Sequence, residues 1–349
     1  MVGLQLSKKD ALLVDDVAFD GHVPLGYHPE RPERLTAARA AVHHAAANFR
    51  RVEATEASAT DLERVHDARF VATLERLRGK TGMLDPDTYV SEKSIAAARR
   101  AAGGAAAMVD GLLDESDATV GIALLRPPGH HACADHAMGF CLINNIAVAA
   151  AHARAKGVER IAIVDFDVHH GNGTQEMFYR DPNVLYVSLH QSPFYPGTGA
   201  TDEVGEGEGE GFTVNVPLVA GGGDAVYRAA FDRIVSPVLE QFAPRLILVS
   251  AGFDGAARDP LAEMTLTSRG YGYMTQRLAE QAGRSADGRI ALLLEGGYDL
   301  VALESGLTET MRALFEGATY DGAPRLDREG DSADVARAAR AASAYWKVE

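Results

Sequence analysis

The sequence predicts an α/β protein, with a central and mostly parallel β-sheet flanked by helices on both faces. Three observations carry this expectation. Six short apolar runs recur along the chain, and most are continuous rather than alternating, as strands buried on both faces should be. Between them lie stretches rich in Ala, Leu and Arg that read as helices, the alternation expected of a sheet sandwiched by helices. No long linker or internal repeat interrupts the 349 residues, so a single domain over 1–349 is expected.

In chain order the runs are ALLVDD (11–16), TVGIALL (119–125), IAIVDF (161–166), VLYVSLH (184–190), LILVSAGF (246–253) and IALLLEGG (290–297). Helices are expected over RLTAARAAVHHAAANF (34–49) and INNIAVAAAHARAKG (143–157), among others. The stretch TDEVGEGEGEGF (201–212) alternates glycine and glutamate and reads as a solvated loop. A helical tail, DVARAARAASAYW, lies within about 325–349, and the sequence leaves open whether it docks on the body or on another subunit.

Acidic residues outnumber basic ones, 49 to 34, for a formal charge of -15. Such a field disfavours nucleic acid and anionic membrane and mildly favours cationic ligands. Two cysteines, Cys133 and Cys141, are too few for a disulfide framework and point to a reducing compartment. The opening residues lack a signal-peptide layout, and no run approaches the roughly 18–20 apolar residues of a membrane helix. The expectation is a cytoplasmic protein with neither nucleic-acid nor membrane partners.

In open α/β sheets ligands gather at the carboxyl ends of strands. The run IAIVDF continues as DVHHGNG, and side-chain alternation places Asp165, Asp167 and His169 on one side. Carboxylate and imidazole together suit zinc or another divalent transition metal. A second run, LILVSAGFD, ends in Asp254. Three ligands, Asp167, His169 and Asp254, would leave one position open for water. Behind the rigid turn of RPPGHHA (126–132), His130 and His131 are presented in tandem, suited to general acid–base work. In LLLEGGYD (292–299), two glycines allow a close backbone approach, and the Tyr298 hydroxyl can donate to a developing oxyanion.

Together these segments resemble the histone deacetylase superfamily, with its arginase/deacetylase fold, in the class II-like branch of bacterial amidohydrolases and acetylpolyamine amidohydrolases. The likeness runs from HPERPERL (28–35) to EGGYDL (295–300) and includes GFCLINN (139–145), VDFDVHHGNGTQ (164–175), SLHQSPFYPGTG (188–199) and SAGFDGAARDPL (250–261). It implies Asp167, His169 and Asp254 as ligands of one catalytic Zn2+. His131 is then the general base and acid, oriented by Asn172, and His130 is its electrostatic partner, held by Asp165. Tyr298 polarises the carbonyl. Phe140 and Tyr195 line a narrow acyl-lysine channel, with the Gly139 carbonyl facing the substrate N–H. A structural K+ or Na+ is implied near Asp165, Asp167, His169, Ser188 and Leu189. Cys141 is read as packing.

The implied reaction is hydrolysis of an acyl-amide, N-acetyl-lysine or an acetylated amine or polyamine, to carboxylate and free amine. Alternatives are a small-amide or ester hydrolase, or an inactive acyl-lysine-binding module. The module is disfavoured because none of Asp167, His169, Asp254, His131 or Tyr298 is missing. A binuclear arginase-like hydrolase needs a further carboxylate two positions beyond His169, where Gly171 stands. Asp87, in LDPDTYV, is a candidate rim carboxylate for gripping substrate backbone or a cationic amine. Dimer or tetramer formation is an open expectation on the same grounds.

Overall fold

The continuous apolar runs become the middle of one eight-stranded sheet. In the computed structural model, which describes residues 9–114, 118–320 and 332–349, the strands are β1 (Lys9–Val14), β2 (Ala47–Arg51), β3 (Gly82–Met83), β4 (Tyr89–Val90), β5 (Val120–Ala123), β6 (Ile161–Asp165), β7 (Val184–Gln191), β8 (Thr213–Leu218), β9 (Leu246–Ala251) and β10 (Ile290–Leu294). The large sheet has the order β2-β1-β5-β10-β9-β6-β7-β8, while β3 and β4 form a separate ribbon. Every pairing in the large sheet is parallel. Strands β6, β7, β9 and β10 are buried along their whole length, as their unbroken apolar sequences require.

Helices cover the sheet, and two of them start at motifs met in the sequence. Asn144, in GFCLINN, caps Asn145–Ala155 by accepting the Ala147 N–H at 3.0 Å. Asp299, in EGGYDL, caps Leu300–Phe315 by accepting the Ala302 N–H at 2.8 Å. Each cap fixes where a loop at the carboxyl edge ends. The loops at the carboxyl edge are thus clamped at their far ends.

Two elements differ from the sequence reading. The helix expected over 34–49 runs only from Glu33 to His44, and Ala47–Arg51 forms the edge strand β2. Alanine supplies helix propensity without an apolar stripe, and tertiary pairing with β1 decides the rest, with Phe49 packed edge-on against Phe315 at 5.8 Å. Strand β8 follows the glycine–glutamate loop with no strong apolar run to announce it, and Pro217 is tolerated because β8 lies at the opposite edge. The 201–212 stretch itself is a loop with one short 3-10 turn at Gly207–Gly209.

The tail docks on the body of its own chain. Part of it, 325–331, lies outside the described residues; beyond that a helix spans Ala333–Ala342. Asp334 accepts the Val219 N–H at 3.1 Å, and the Trp346 indole donates to the Gly211 carbonyl at 2.8 Å. The same indole packs edge-on against Phe212 and Phe242, with centroids at 5.8 and 6.5 Å. No described helix is long and apolar enough to cross a membrane. Trp346→Ala is expected to lower stability by about 2 kcal/mol, below the usual cost for a fully buried Trp because this ring is half-buried. Denaturant titration reads this as a lower midpoint at unchanged slope; an unmoved midpoint would mean the tail adds nothing to the fold.

Candidate metal centre and active site

Four adjacent strands, β5, β10, β9 and β6, each deliver one motif at the carboxyl edge. His130 and His131 follow β5, Tyr298 follows β10, Asp254 follows β9, and Asp167 with His169 follows β6. The sequence shows that each motif ends a strand. The strand order is what makes them neighbours.

Asp167, His169 and Asp254 are buried and offer ligand atoms that all lie within 4.8 Å of one another. The β6 ladder stops at Asp165, so Asp167 and His169 sit in the loop beyond it rather than on a strand face. His169 Nδ1 is 3.2 Å from Asp167 Oδ1 and 3.2 Å from Asp254 Oδ2. Asp254 Oδ2 is buried and has no hydrogen-bond partner among the described residues. Burial and the neighbouring Asp167 carboxylate both push the Asp254 pKa up. Two buried carboxylates, one imidazole and an orphaned oxygen are the donor set of a divalent cation. The backbone is shaped around it, since a Cβ on Gly296 would strike the carboxylates of Asp254 and Asp167. The group fits a metal site.

The histidine pair is held from behind by two different partners. His130 Nδ1 is 3.1 Å from Asp165 Oδ2, and its ring lies 4.0 Å from that of His131. His131 Nδ1 is 2.8 Å from Asn172 Oδ1, while Asn172 Nδ2 faces Cys133 Sγ and Met138 Sδ, each at 3.3 Å. This amide orientation, assigned from the hydrogen bonds, puts the proton on His131 Nδ1 and leaves Nε2 as an acceptor. Burial lowers both imidazoles, but the Asp167 and Asp165 carboxylates outweigh it at His130 and raise its pKa to about 10. At His131 burial wins, aided by His130 and His169, and its pKa falls well below the ordinary value. The same burial thus acts on two adjacent rings with opposite outcomes, set by which carboxylates each one faces.

Tyr298 is 9% exposed, and burial pushes its hydroxyl pKa well above the ordinary value, which keeps it a neutral donor. Its ring meets Phe140 edge-on at 5.8 Å. Phe140 has a φ of 67° and follows Gly139 at 55°, between the bridged residues Met138 and Cys141. Positive φ at both central positions is the pattern of a type I′ hairpin, and for phenylalanine it is strained. The Phe140 ring meets His28 edge-on at 4.6 Å. Gly139 lies so close to the His131 ring that a Cβ would collide with it. Tyr195 stands edge-on to His131 at 5.3 Å and is 38% exposed. His28 also connects to Asp87, whose backbone carbonyl meets its Nε2 at 3.1 Å. Burial and the adjacent Asp85 raise the pKa of the Asp87 carboxyl. Asp165 and Ser188 are paired across β6 and β7, with Leu189 next along β7. Cys141 is fully buried, and burial pushes its thiol pKa well above the ordinary value, as packing requires.

Sequence reasoning missed the charged supports behind this site. Phe194, beside Tyr195, stacks on His169 at 5.2 Å. Glu295 Oε2 accepts the Gly129 N–H at 2.7 Å and the His130 N–H at 3.2 Å, joining the β10 loop to the histidine loop. Arg126 donates to Glu30, and also to the Phe19 and His22 carbonyls at 2.9 Å each. Arg34 bonds Glu30 Oε1 at 3.1 Å and the Gly297 carbonyl at 2.6 Å, and its guanidinium lies 4.9 Å from the Tyr298 ring centroid. All three of these charges are fully buried. The available signal was the dense charge in HPERPERL and RPPG, which surface exposure would equally explain.

Burial alone would raise the Glu30 pKa, yet Arg126, His22 and Arg34 hold it far below the carboxylate range. Glu30→Gln leaves two buried guanidiniums without a counter-charge and is expected to cost roughly 3–5 kcal/mol at neutral pH. Because the folded pKa lies below the unfolded value of about 4.3, the wild-type advantage is complete above that pH and shrinks as pH falls below it. Denaturant titrations of both proteins between neutral pH and pH 3 check this. A gap that stays constant with pH would contradict it.

Comparison with known proteins gives this arrangement a lineage. The sequence profile of the histone deacetylase domain matches residues 28–314. The histone deacetylase-like amidohydrolase of Pseudomonas aeruginosa (strain PAO1) is 47% identical over 248 residues, covering 70% of this chain and 65% of its own. The human polyamine deacetylase HDAC10 is 40% identical over 341 residues, covering 91% of this chain and 49% of its own, so the chain spans about half of that relative. The crystal structure of the HDA15 HD domain superposes with a TM-score of 0.87 at 38% identity, covering 97% of this chain and 96% of that one. The chain belongs to the histone deacetylase family and has its arginase/deacetylase fold.

Proposed function

We propose that the protein is a zinc-dependent amidohydrolase that removes acetyl or similar acyl groups from an amine, either N-acetyl-lysine or an acetylated polyamine. One observation carries the reading: a buried Asp–His–Asp group lies beside His131, whose Nδ1 is paired with Asn172 Oδ1 at 2.8 Å. Asp167, His169 and Asp254 would hold the zinc ion, which when bound supplies Lewis acidity toward water and an acyl oxygen. A monovalent K+ or Na+ is proposed at Asp165, Asp167, His169, Ser188 and Leu189. The paired positions of Asp165 and Ser188 support it, as does the partnerless Ser250 hydroxyl on the strand beside Asp165.

The residues then divide the reaction. His131 Nε2 takes a proton from the attacking water, and His130, with its Asp165 partner, fixes the charge behind it. Tyr298 donates to the carbonyl oxygen as negative charge develops, a contribution of about 3–4 kcal/mol for one such donor. The protonated His131 returns its proton to the leaving nitrogen as the C–N bond breaks. Phe140 and Tyr195 flank the acyl chain, Gly139 faces the amide N–H, and Asp87 at the rim attracts the cationic end of the substrate. Two buried free thiols, Cys133 and Cys141, support a reducing, cytoplasmic setting.

Amine release from acetyl-lysine peptides, acetylpolyamines and simple anilides tests the reading. Zinc-loaded protein is expected to turn over at least one member, with loss on chelation and recovery on zinc return. Turnover unaffected by chelator would contradict it. A second test addresses His131. Asn172→Asp replaces a neutral partner with a carboxylate, which raises the His131 pKa and moves the acidic limb of the kcat/KM profile upward by about one to three pH units. An unmoved limb would reject the pairing.

A further inference from the structure

Tyr298 follows two glycines, and Gly297 has a φ of 118°, so nothing in the local chain dictates where the tyrosine points. Arg34 holds the Gly297 carbonyl and lies over the ring on one side, and the neighbouring loop holds the backbone that follows. Asp259, in the segment that continues from Asp254, is only 6% exposed and spends its whole carboxylate on backbone N–H groups. Its Oδ2 accepts from Tyr298 at 2.6 Å and from Asp299 at 3.1 Å, while Oδ1 accepts from Leu261 at 3.0 Å. All three partners are donors, so the site calls for an acceptor on both oxygens. Asp299 then caps the following helix, and Arg258 Nε reaches Asp299 Oδ1 at 3.3 Å. The backbone of Tyr298 is therefore pinned to the very loop that carries Asp254.

We infer that Asp259 is a positioning residue for the reaction: by clasping the Tyr298 and Asp299 N–H groups it fixes the Tyr298 hydroxyl relative to Asp254. The inference rests on the reading of Tyr298 as the oxyanion donor. A role confined to holding the loop together would give the same hydrogen bonds, so the test must separate the two. Asp259→Asn keeps the shape but turns an amide N–H2 against a backbone N–H.

The experiment is a double-mutant cycle of Asp259→Asn and Tyr298→Phe on the full chain, with hydrogen exchange of the 296–300 segment in metal-free protein. Asp259→Asn is expected to lower kcat by about 10- to 100-fold with KM little changed. The double variant is expected to be no slower than Tyr298→Phe alone. Exchange is expected to quicken at 296–300 and to stay unchanged in β6. An unaltered kcat, or multiplicative losses in the double variant, would overturn the inference. Undiminished kcat in Tyr298→Phe would instead overturn the role given to Tyr298. Should Asp259→Asn fail to fold, Asp259→Glu, which moves the acceptor by one methylene, is put through the same cycle. Failure of both to fold would mark Asp259 as a support of the fold and overturn the inference.

Discussion

Two carboxylates, Asp167 and Asp254, lie buried within reach of the same imidazole at the ends of neighbouring strands, and at that depth like charges repel unless a cation sits among them. Much of the surrounding architecture answers to that constraint. The strand order places β6 beside β9 so that both acids face one point. Gly252 and Gly296 bring backbone against the Asp167 carboxylate, where any side chain would intrude. The Gly296 N–H donates to Asp167 Oδ2 at 2.8 Å and the His169 N–H to Asp167 Oδ1 at 3.0 Å, while the Val168 N–H donates to Asp254 Oδ1 at 3.0 Å and leaves Asp254 Oδ2 without a partner among the described residues.

A second buried charge network stands behind the first and has the opposite excess. Glu30 sits among Arg34, Arg126 and His22, and burial drops the His22 pKa to about 3, so the cluster carries two guanidiniums against one carboxylate. Arg34 carries that network to the β10 loop through the Gly297 carbonyl and the Tyr298 ring. Glu295 and Asp259 tie the same loop to the histidine loop and to the Asp254 loop. The candidate site residues beyond four separate strands are thereby referenced to one another by buried hydrogen bonds. These hold geometry more firmly than exposed pairs of the same kind.

The central strands and the candidate site side chains were legible because each is local. A continuous apolar run ending in Asp, His or Tyr needs only a few residues to be read, and 161–173, 246–254 and 292–299 all take that form. What could not be read depends on contacts distant in sequence. Strand β2 was hidden because an alanine-rich helical stretch runs straight into it, and only pairing with β1 marks where the helix stops. Glu30 and Arg126 are 96 positions apart and look like surface charges until the fold buries them. Asp259 likewise gives no sign that its partners are the N–H groups of Tyr298 and Asp299. The resemblance supplied expected roles for Asn172 and His130, and the fold places each beside the partner those roles require.

The proposed chemistry requires a single metal held by Asp167, His169 and Asp254. X-ray absorption at the zinc edge of the loaded protein, with metal content measured in parallel, tests this most directly. One zinc per catalytic site is expected, bound by one imidazole nitrogen and otherwise by oxygen. Sulfur in the coordination shell, a second metal within bridging distance, or more than one imidazole would contradict the assignment.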